Sequence, residues 1–343
     1  MDLSKLLRKN IAELKPYSSA RDEYAGEAMV FLDANENPFN EPYNRYPDPL
    51  QRELKQKISK IKDITPENIF LGNGSDEPID LLIRAFCEPG TDNIITFNPT
   101  YGMYEVAAGV NNVEVKKVSL TEDFEIDVDA LLETVNPNTK LIFLCSPNNP
   151  TGNSLDAEKI QKVIDEFDGI VVLDEAYIDF APGKSFFPKL NENANLVILQ
   201  TFSKAWGMAG IRLGMAFASV EIVSILNKIK YPYNLNILTQ TKALELVEKK
   251  EEVKKWVKLL IAERAKMADL LKGFPFVVQV HPSDANFLLI KMHDAKGIYH
   301  YLVERGIIVR NRSNVHLCDD SLRITIGSSS ENETLLTAFK ELV

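Results

Sequence analysis

From about residue 69 the chain alternates short apolar runs with stretches of helical period, and nearly every apolar run ends on a polar residue or glycine. Strands are expected at 68–71, 93–97, 113–118, 141–145, 170–173, 196–199 and 215–218, with helices between them. Continuous apolar runs are buried on both faces, and strands joined through helices pair in parallel. The expected fold class is therefore α/β: a large domain built on a mostly parallel seven-stranded sheet flanked by helices. Ser75 is expected to cap the helix after the first strand, and Asp127 a later one. Residues 251–272 read as a long, charged connecting helix. Beyond it, strands at 274–280, 287–290, 307–309 and 322–326, a helix near 296–305 and a terminal helix give a small α+β domain. The expected organisation is an N-terminal arm over 1–40 packing with the small domain, a large domain over 41–255 and a small domain over 256–343. A chain of 343 residues exceeds one simple core, which suits two domains.

Charge and reactive side chains exclude several functions. The formal net charge is −10, so nothing draws the chain to nucleic acid or an anionic membrane surface. The three cysteines, Cys87, Cys145 and Cys318, form no CxxC pair and suit reduced thiols rather than a disulfide framework. His281, His293, His300 and His316 show no metal-ligand spacing. The first residues carry no apolar leader segment, and a cytoplasmic location is expected.

Open α/β sheets place ligands at the C-terminal ends of their strands, so the polar residues that end the apolar runs are the candidate site. Lys204 follows a strand inside TFSKAWGMAGIRLG (201–214). An isolated lysine is usually a solvated surface group. One packed among small residues loses hydration, its pKa falls, and its amine can form a Schiff base. Asp174 ends the 170–173 run, where a carboxylate can pair with a pyridine nitrogen and keep it protonated; standing alone it would read as a loop cap. Tyr177, three residues on, either offers its hydroxyl to the same ligand or is a core tyrosine. Asn149 presents an amide from NNPTG (148–152), a loop stiffened by Pro150 and Gly152. Gly74, Ser75 and Asp76 open a helix after a strand, where backbone N–H groups and the helix dipole favour an anion. Arg212, Ser203 and Thr201 add charge and hydroxyls to that cradle. Tyr101 starts another helix and can stack on a flat ring.

Taken in order, GNGSDE, NNPTG, DEAY and SKAWGMAGIRLG resemble the fold-type I aminotransferases that depend on pyridoxal 5'-phosphate, over roughly residues 32–326. The resemblance implies that Lys204 holds the cofactor and moves the proton, and that Asp174 holds the ring nitrogen. It gives the ring oxygen to Asn149 and Tyr177, and the phosphate to Ser203 and Arg212. LDANENP (32–38), RYPDP (45–49), GIIVR (306–310) and LRITIG (322–327) resemble the branch of that family acting on histidinol phosphate. That narrower resemblance implies amino transfer between L-histidinol phosphate and 2-oxoglutarate, giving imidazole acetol phosphate and glutamate, in a ping-pong cycle through a Schiff base on Lys204. It implies a homodimer in which Tyr46 reaches the cofactor phosphate of the other subunit. It also implies that Arg323 and Arg310 bind the substrate anion while Tyr17 and Asn35 line the pocket. Arg312 is expected to be a solvated strand end. Trp206 and Met208 stand where many members carry Phe and Leu, with bulk and apolarity kept. An aromatic or broad-range aminotransferase, or a decarboxylase of a phosphorylated amino acid, would share the cofactor residues. A non-catalytic cofactor-binding regulator would need a helix-turn-helix, for which there is no room before residue 32.

Overall fold

Side chains alternate across a strand, so a run apolar at every position feeds two cores at once. In the computed structural model, which describes residues 3–18 and 29–343, this is how the large sheet is held. Its strands are β1 (Ile69–Asn73), β2 (Asn93–Asn98), β3 (Glu114–Ser119), β4 (Thr139–Cys145), β5 (Ile170–Asp174), β6 (Leu196–Thr201) and β7 (Leu213–Phe217). Ile142, Leu144, Val171 and Leu173 pack into the core on one face. Leu141, Phe143, Ile170 and Val172, their immediate neighbours, pack into the core on the other.

The order is β1-β7-β6-β5-β4-β2-β3. β7 is antiparallel to both β1 and β6, and the remaining pairings are parallel. β3 departs from the expectation of two buried faces. It is an edge strand and largely exposed, and Lys116 and Lys117 on it discourage pairing with another chain.

The flanking helices are α1 (Lys9–Glu13), α2 (Arg52–Lys62), α3 (Asp76–Phe86), α4 (Met103–Val110), α5 (Val128–Thr134), α6 (Ala157–Glu166), α7 (Val220–Ile229) and α8 (Ile237–Val247). Asp127 caps α5 by accepting from the Ala130 amide. Ser75 does not cap α3. It already has helical dihedrals, and its side chain lines the cleft instead. The turn before α3 is tied by Glu77, whose carboxylate accepts from the Asn73 amide at 2.6 Å and from Asn234 at 3.1 Å.

α9 (Lys250–Leu271) spans from the large sheet to a smaller one, burying Val253 in the first core and Met267 and Leu271 in another. The small sheet is antiparallel, in the order β10-β11-β9-β8, from β8 (Val277–Val280), β9 (Phe287–Met292), β10 (Arg310–Asn311) and β11 (Ser321–Thr325). The stretch 307–309, expected as a strand, leads into β10 without pairing. One face of this sheet, with Leu288, Ile290, Leu322 and Ile324, packs under α10 (Ala295–Glu304) and α11 (Ser329–Lys340). The other face turns toward the large sheet: Phe287 and Leu289 join the large core, and Arg323 pairs in register with Leu289.

The N-terminal arm does not pack with the small sheet in its described part. Leu3, Leu6 and Leu7 lie on the large-sheet core, the Arg8 amide donates to the Ala85 carbonyl at 3.0 Å, and Lys228 donates to the carbonyls of Ile11 and Ala12. The apolar leucines find the outer face of α3 before the chain can reach the far unit. Residues 29–32 and 39 are exposed. Among the described residues no helix is long and apolar enough to cross a membrane.

Candidate active site

The strand ends of the large sheet open into a cleft lined by Gly74, Ser75, Asp76, Tyr101, Asp174, Tyr177, Thr201, Ser203, Lys204 and Arg212. At one end stands an anion cradle. Gly74 has φ 71°, and its amide donates to the Arg212 carbonyl at 3.0 Å. A Cβ on Gly74 would lie 2.6 Å from Arg212 Nη2, so only glycine admits the guanidinium here. Gly214 on β7 is held as tightly, since a Cβ there would lie 2.2 Å from the Gly74 carbonyl carbon and the Ser75 nitrogen. Arg212 Nη1 donates to Ser203 Oγ at 3.4 Å, and the Ser203 amide donates to Thr201 Oγ1 at 3.1 Å. Asp76 braces the wall: its carboxylate takes Arg212 Nη2 at 3.4 Å and the Tyr101 hydroxyl at 3.1 Å.

At the floor, Asp174 is 2% exposed. Its Oδ2 accepts the Tyr104 hydroxyl at 2.7 Å and its Oδ1 the Ala176 amide at 2.9 Å. Burial pushes the carboxyl up to about 6, with those two hydrogen bonds pulling it back. Tyr104 stacks on Phe143 and meets Tyr101 edge-on, which fixes both rings beside the carboxylate. Tyr104 was not singled out from sequence, where an aromatic on a helix looks like packing. The buried Glu175 next to Asp174 points away, accepting from Ser185, Gln200 and the Phe186 amide.

Lys204 opens onto the cleft with Nζ 5.4 Å from the centre of the Tyr177 ring. The side chain is exposed to the cleft, yet its pKa is lowered, chiefly by desolvation from the cleft walls and then by the charge of Arg323, with Asp174 opposing. Asn149 Nδ2 donates to the Tyr177 hydroxyl at 3.4 Å, and Asn149 Oδ1 accepts from Arg323. The neighbouring Asn148 fixes that loop, with Nδ2 donating to the Pro99 carbonyl and to Thr151. Tyr177 meets Phe287 edge-on at 5.2 Å, and the Arg323 guanidinium sits 5.3 Å from the same Phe287 ring centre.

The cleft continues between the two sheets, where Arg310, Arg312, Arg323 and His316 join Asn149, Tyr177 and Lys204. Arg312 is the second residue that sequence reasoning missed. It is half-buried in this wall, not a solvated strand end, because β10 turns its face toward the large sheet. Tyr17, Asn35 and Tyr46 do not line the cleft with Lys204 in the same chain. Tyr17 is exposed, Asn35 is exposed with φ 54°, and Tyr46 is half-exposed and stacks on Tyr233 with ring centres 4.4 Å apart.

An anion cradle at a helix start, a buried carboxylate and a depressed amine fit the phosphate, pyridine nitrogen and aldehyde of pyridoxal 5'-phosphate respectively. Together with the mostly parallel seven-stranded sheet, these groups define an enzyme of the fold-type I pyridoxal-phosphate class. Residues 30–339 match the family of class I and II aminotransferases. The chain is 59% identical over 341 residues to the histidinol-phosphate aminotransferase of Parabacteroides distasonis, covering 99% of each. It is 54% identical to that of Cytophaga hutchinsonii, covering 98% of each. The crystal structure of the histidinol-phosphate aminotransferase from Clostridium acetobutylicum superposes with a TM-score of 0.81 at 26% identity, over 88% of this chain and 91% of that one. The chain belongs to the histidinol-phosphate aminotransferase family within the class I and II aminotransferases. It is an aminotransferase and its cofactor is pyridoxal 5'-phosphate.

Proposed function

We propose that this enzyme moves an amino group between L-histidinol phosphate and 2-oxoglutarate, as a cytoplasmic homodimer. The observation that carries the substrate assignment is the arginine wall of Arg310, Arg312 and Arg323 facing Lys204. A guanidinium suits a phosphate and a carboxylate alike, so Arg310 and Arg323 serve both substrates in turn. The names of the relatives support the same donor.

Bound pyridoxal phosphate supplies an electron sink for the carbon that loses its proton. The residues of the chain do the rest. Lys204 would hold the cofactor and move the proton at the substrate carbon, and its lowered pKa favours the neutral amine that both roles need. Asp174 keeps the ring nitrogen protonated, and Tyr104 holds that carboxylate in place. Asn149 and Tyr177 would hydrogen-bond the ring oxygen, and Tyr101 would pack on the ring. Backbone N–H groups from Gly74 to Asp76, with Thr201, Ser203 and Arg212, hold the cofactor phosphate. Arg310 and Arg323 orient the substrate anion, and Tyr17 and Asn35 complete the pocket. Residues 41–255 form the cofactor-binding domain, 256–343 the domain that brings the arginines, and 1–40 the arm. Tyr46, remote from the cleft of its own chain, reaches the site of the partner subunit.

The test is the visible absorbance of the purified holoenzyme before and after L-histidinol phosphate, without keto acid. The yellow band should fade, return on adding 2-oxoglutarate, and be missing in Lys204→Ala. A yellow protein that ignores L-histidinol phosphate rules out the donor. Mixing Tyr46→Phe with Lys204→Ala subunits tests the shared site. Activity above both parents is expected, and none would rule it out.

A further inference from the structure

The charges of the cleft do not balance. Among the described residues, Arg8, Arg45, Arg52, Arg84, Arg212 and Arg305 each contact a carboxylate. Arg264 donates to the Ala285 carbonyl at 2.6 Å. Arg310, Arg312 and Arg323 form no ion pair among the described residues, and all three line one cleft. Glu105, the acid that also lines it, is taken by Lys117 at 2.8 Å.

The pleat explains the clustering. Arg310 pairs directly with Arg323 across β10 and β11, so the two share a face. Arg312 lies two residues beyond Arg310, with its amide donating to the Ser321 carbonyl at 2.8 Å, and the period of two returns it to that face. Arg323 has Asn149 as a partner. The Arg312 Nε is buried and has no hydrogen-bond partner among the described residues. A buried, unmet donor on a half-buried cation is costly, and its position beside two more guanidiniums adds repulsion. Burial, then Arg323 and Arg310, pull the Arg312 pKa down to about 10, so it stays charged at neutral pH under strain from its neighbours.

We propose that Arg312 is a third anion-binding residue of the substrate site and sets the preference for a phosphate monoester over a carboxylate. The role rests on the donor proposed above. Of the two carboxylates of glutamate, the one that takes the place of the phosphate offers two oxygens, which Arg310 and Arg323 can satisfy. A phosphate monoester offers a third oxygen and a charge of about −1.5 to −2 at neutral pH. That surplus oxygen and charge is what the unpartnered guanidinium accommodates.

The experiment compares wild type with Arg312→Gln as holoenzymes kept saturated with cofactor, measuring the single-turnover reaction with L-histidinol phosphate and with L-glutamate. Loss of one charge-assisted hydrogen bond should raise the half-saturating L-histidinol phosphate by about tenfold or more. The glutamate value should move by less than about threefold, and both limiting rates should hold, as expected of a group that binds substrate equally in ground and transition states. Inorganic phosphate, used as a competitor of the glutamate reaction, should inhibit about tenfold less well in the variant. Equal weakening of both donors, or unchanged phosphate inhibition, overturns the role. A wild type that ignores L-histidinol phosphate would end the donor assignment, while phosphate inhibition would still decide Arg312. Arg312→Lys keeps the charge without the planar fork and serves if the glutamine variant loses cofactor. An intermediate rise in the phosphate inhibition constant is expected for it, and no rise overturns the role.

Discussion

Replacing Tyr104 by phenylalanine removes one oxygen and should change when the enzyme can take up its cofactor. The Tyr104 hydroxyl donates to Asp174 at 2.7 Å in a fully buried setting, and no other hydrogen bond reaches that carboxylate oxygen among the described residues. A hydrogen bond to a buried charged group contributes about 1.5–3 kcal/mol, or about one to two pKa units. Asp174 already stands near 6 because of burial, and the Tyr104 bond holds it down. Its loss should carry the carboxyl to about 7–8. The sign is fixed: a higher pKa means that more of the carboxyl is protonated at a given pH, and the protonated form cannot hold a protonated ring nitrogen. The assay is titration of the cofactor-free protein with pyridoxal phosphate across pH 5.5–8.5, followed by the visible absorbance. Wild-type affinity should hold down to near pH 6. That of Tyr104→Phe should begin to fall about one to two units higher, be about two- to tenfold weaker at pH 7, and approach wild type above pH 8. Superimposable profiles, or a loss independent of pH, would refute the electrostatic role of Tyr104.

Three further perturbations follow from the same geometry. Asp174→Asn should stabilise the cofactor-free protein while abolishing tight cofactor binding. A carboxyl raised from 3.8 to about 6 carries a folding penalty that is absent below pH 4, grows through that window and reaches about 3 kcal/mol above it. Thermal melts at pH 4 and 8 check this: the variant should gain only at the higher pH. Gly214→Ala forces a Cβ into the Gly74–Ser75 backbone, and should cost about 1–3 kcal/mol in urea denaturation while weakening cofactor retention. Wild-type behaviour in both would show that the cradle yields. Phe287→Ala empties a site 2% exposed beneath both Tyr177 and Arg323, and should cost about 3–5 kcal/mol. It should also raise KM for the anionic donor more than it lowers kcat, and the reverse split would argue against Phe287 as a support for Arg323.

The strands and the residues that line the cleft at their ends were legible because each carries a local signal. The apolar runs mark the strands, and the turns at 72–74 and 148–152 and the lysine string at 203–214 mark their ends. What escaped depends on contacts between distant segments. Tyr104 matters through Asp174, seventy residues away, and no spacing in the sequence links them. Arg312 looks like any charged strand end until the register of β10 against β11 sets its face. Ser75 has the right residue type for a cap, but its helical dihedrals release its hydroxyl to the cleft. The neighbour of the arm was not legible, because its leucines state that they need a surface without stating which.

The cofactor-facing groups hang from the ends of one sheet, while the arginine wall belongs to another, and the two meet at Asn149 with Arg323 and at Tyr177 with Phe287. Reaction type and choice of donor are thereby written in separate stretches of chain. A change within the hairpin of β10 and β11 is expected to alter the preference among amino donors and, through the charge of Arg323, to shift the Lys204 amine as well.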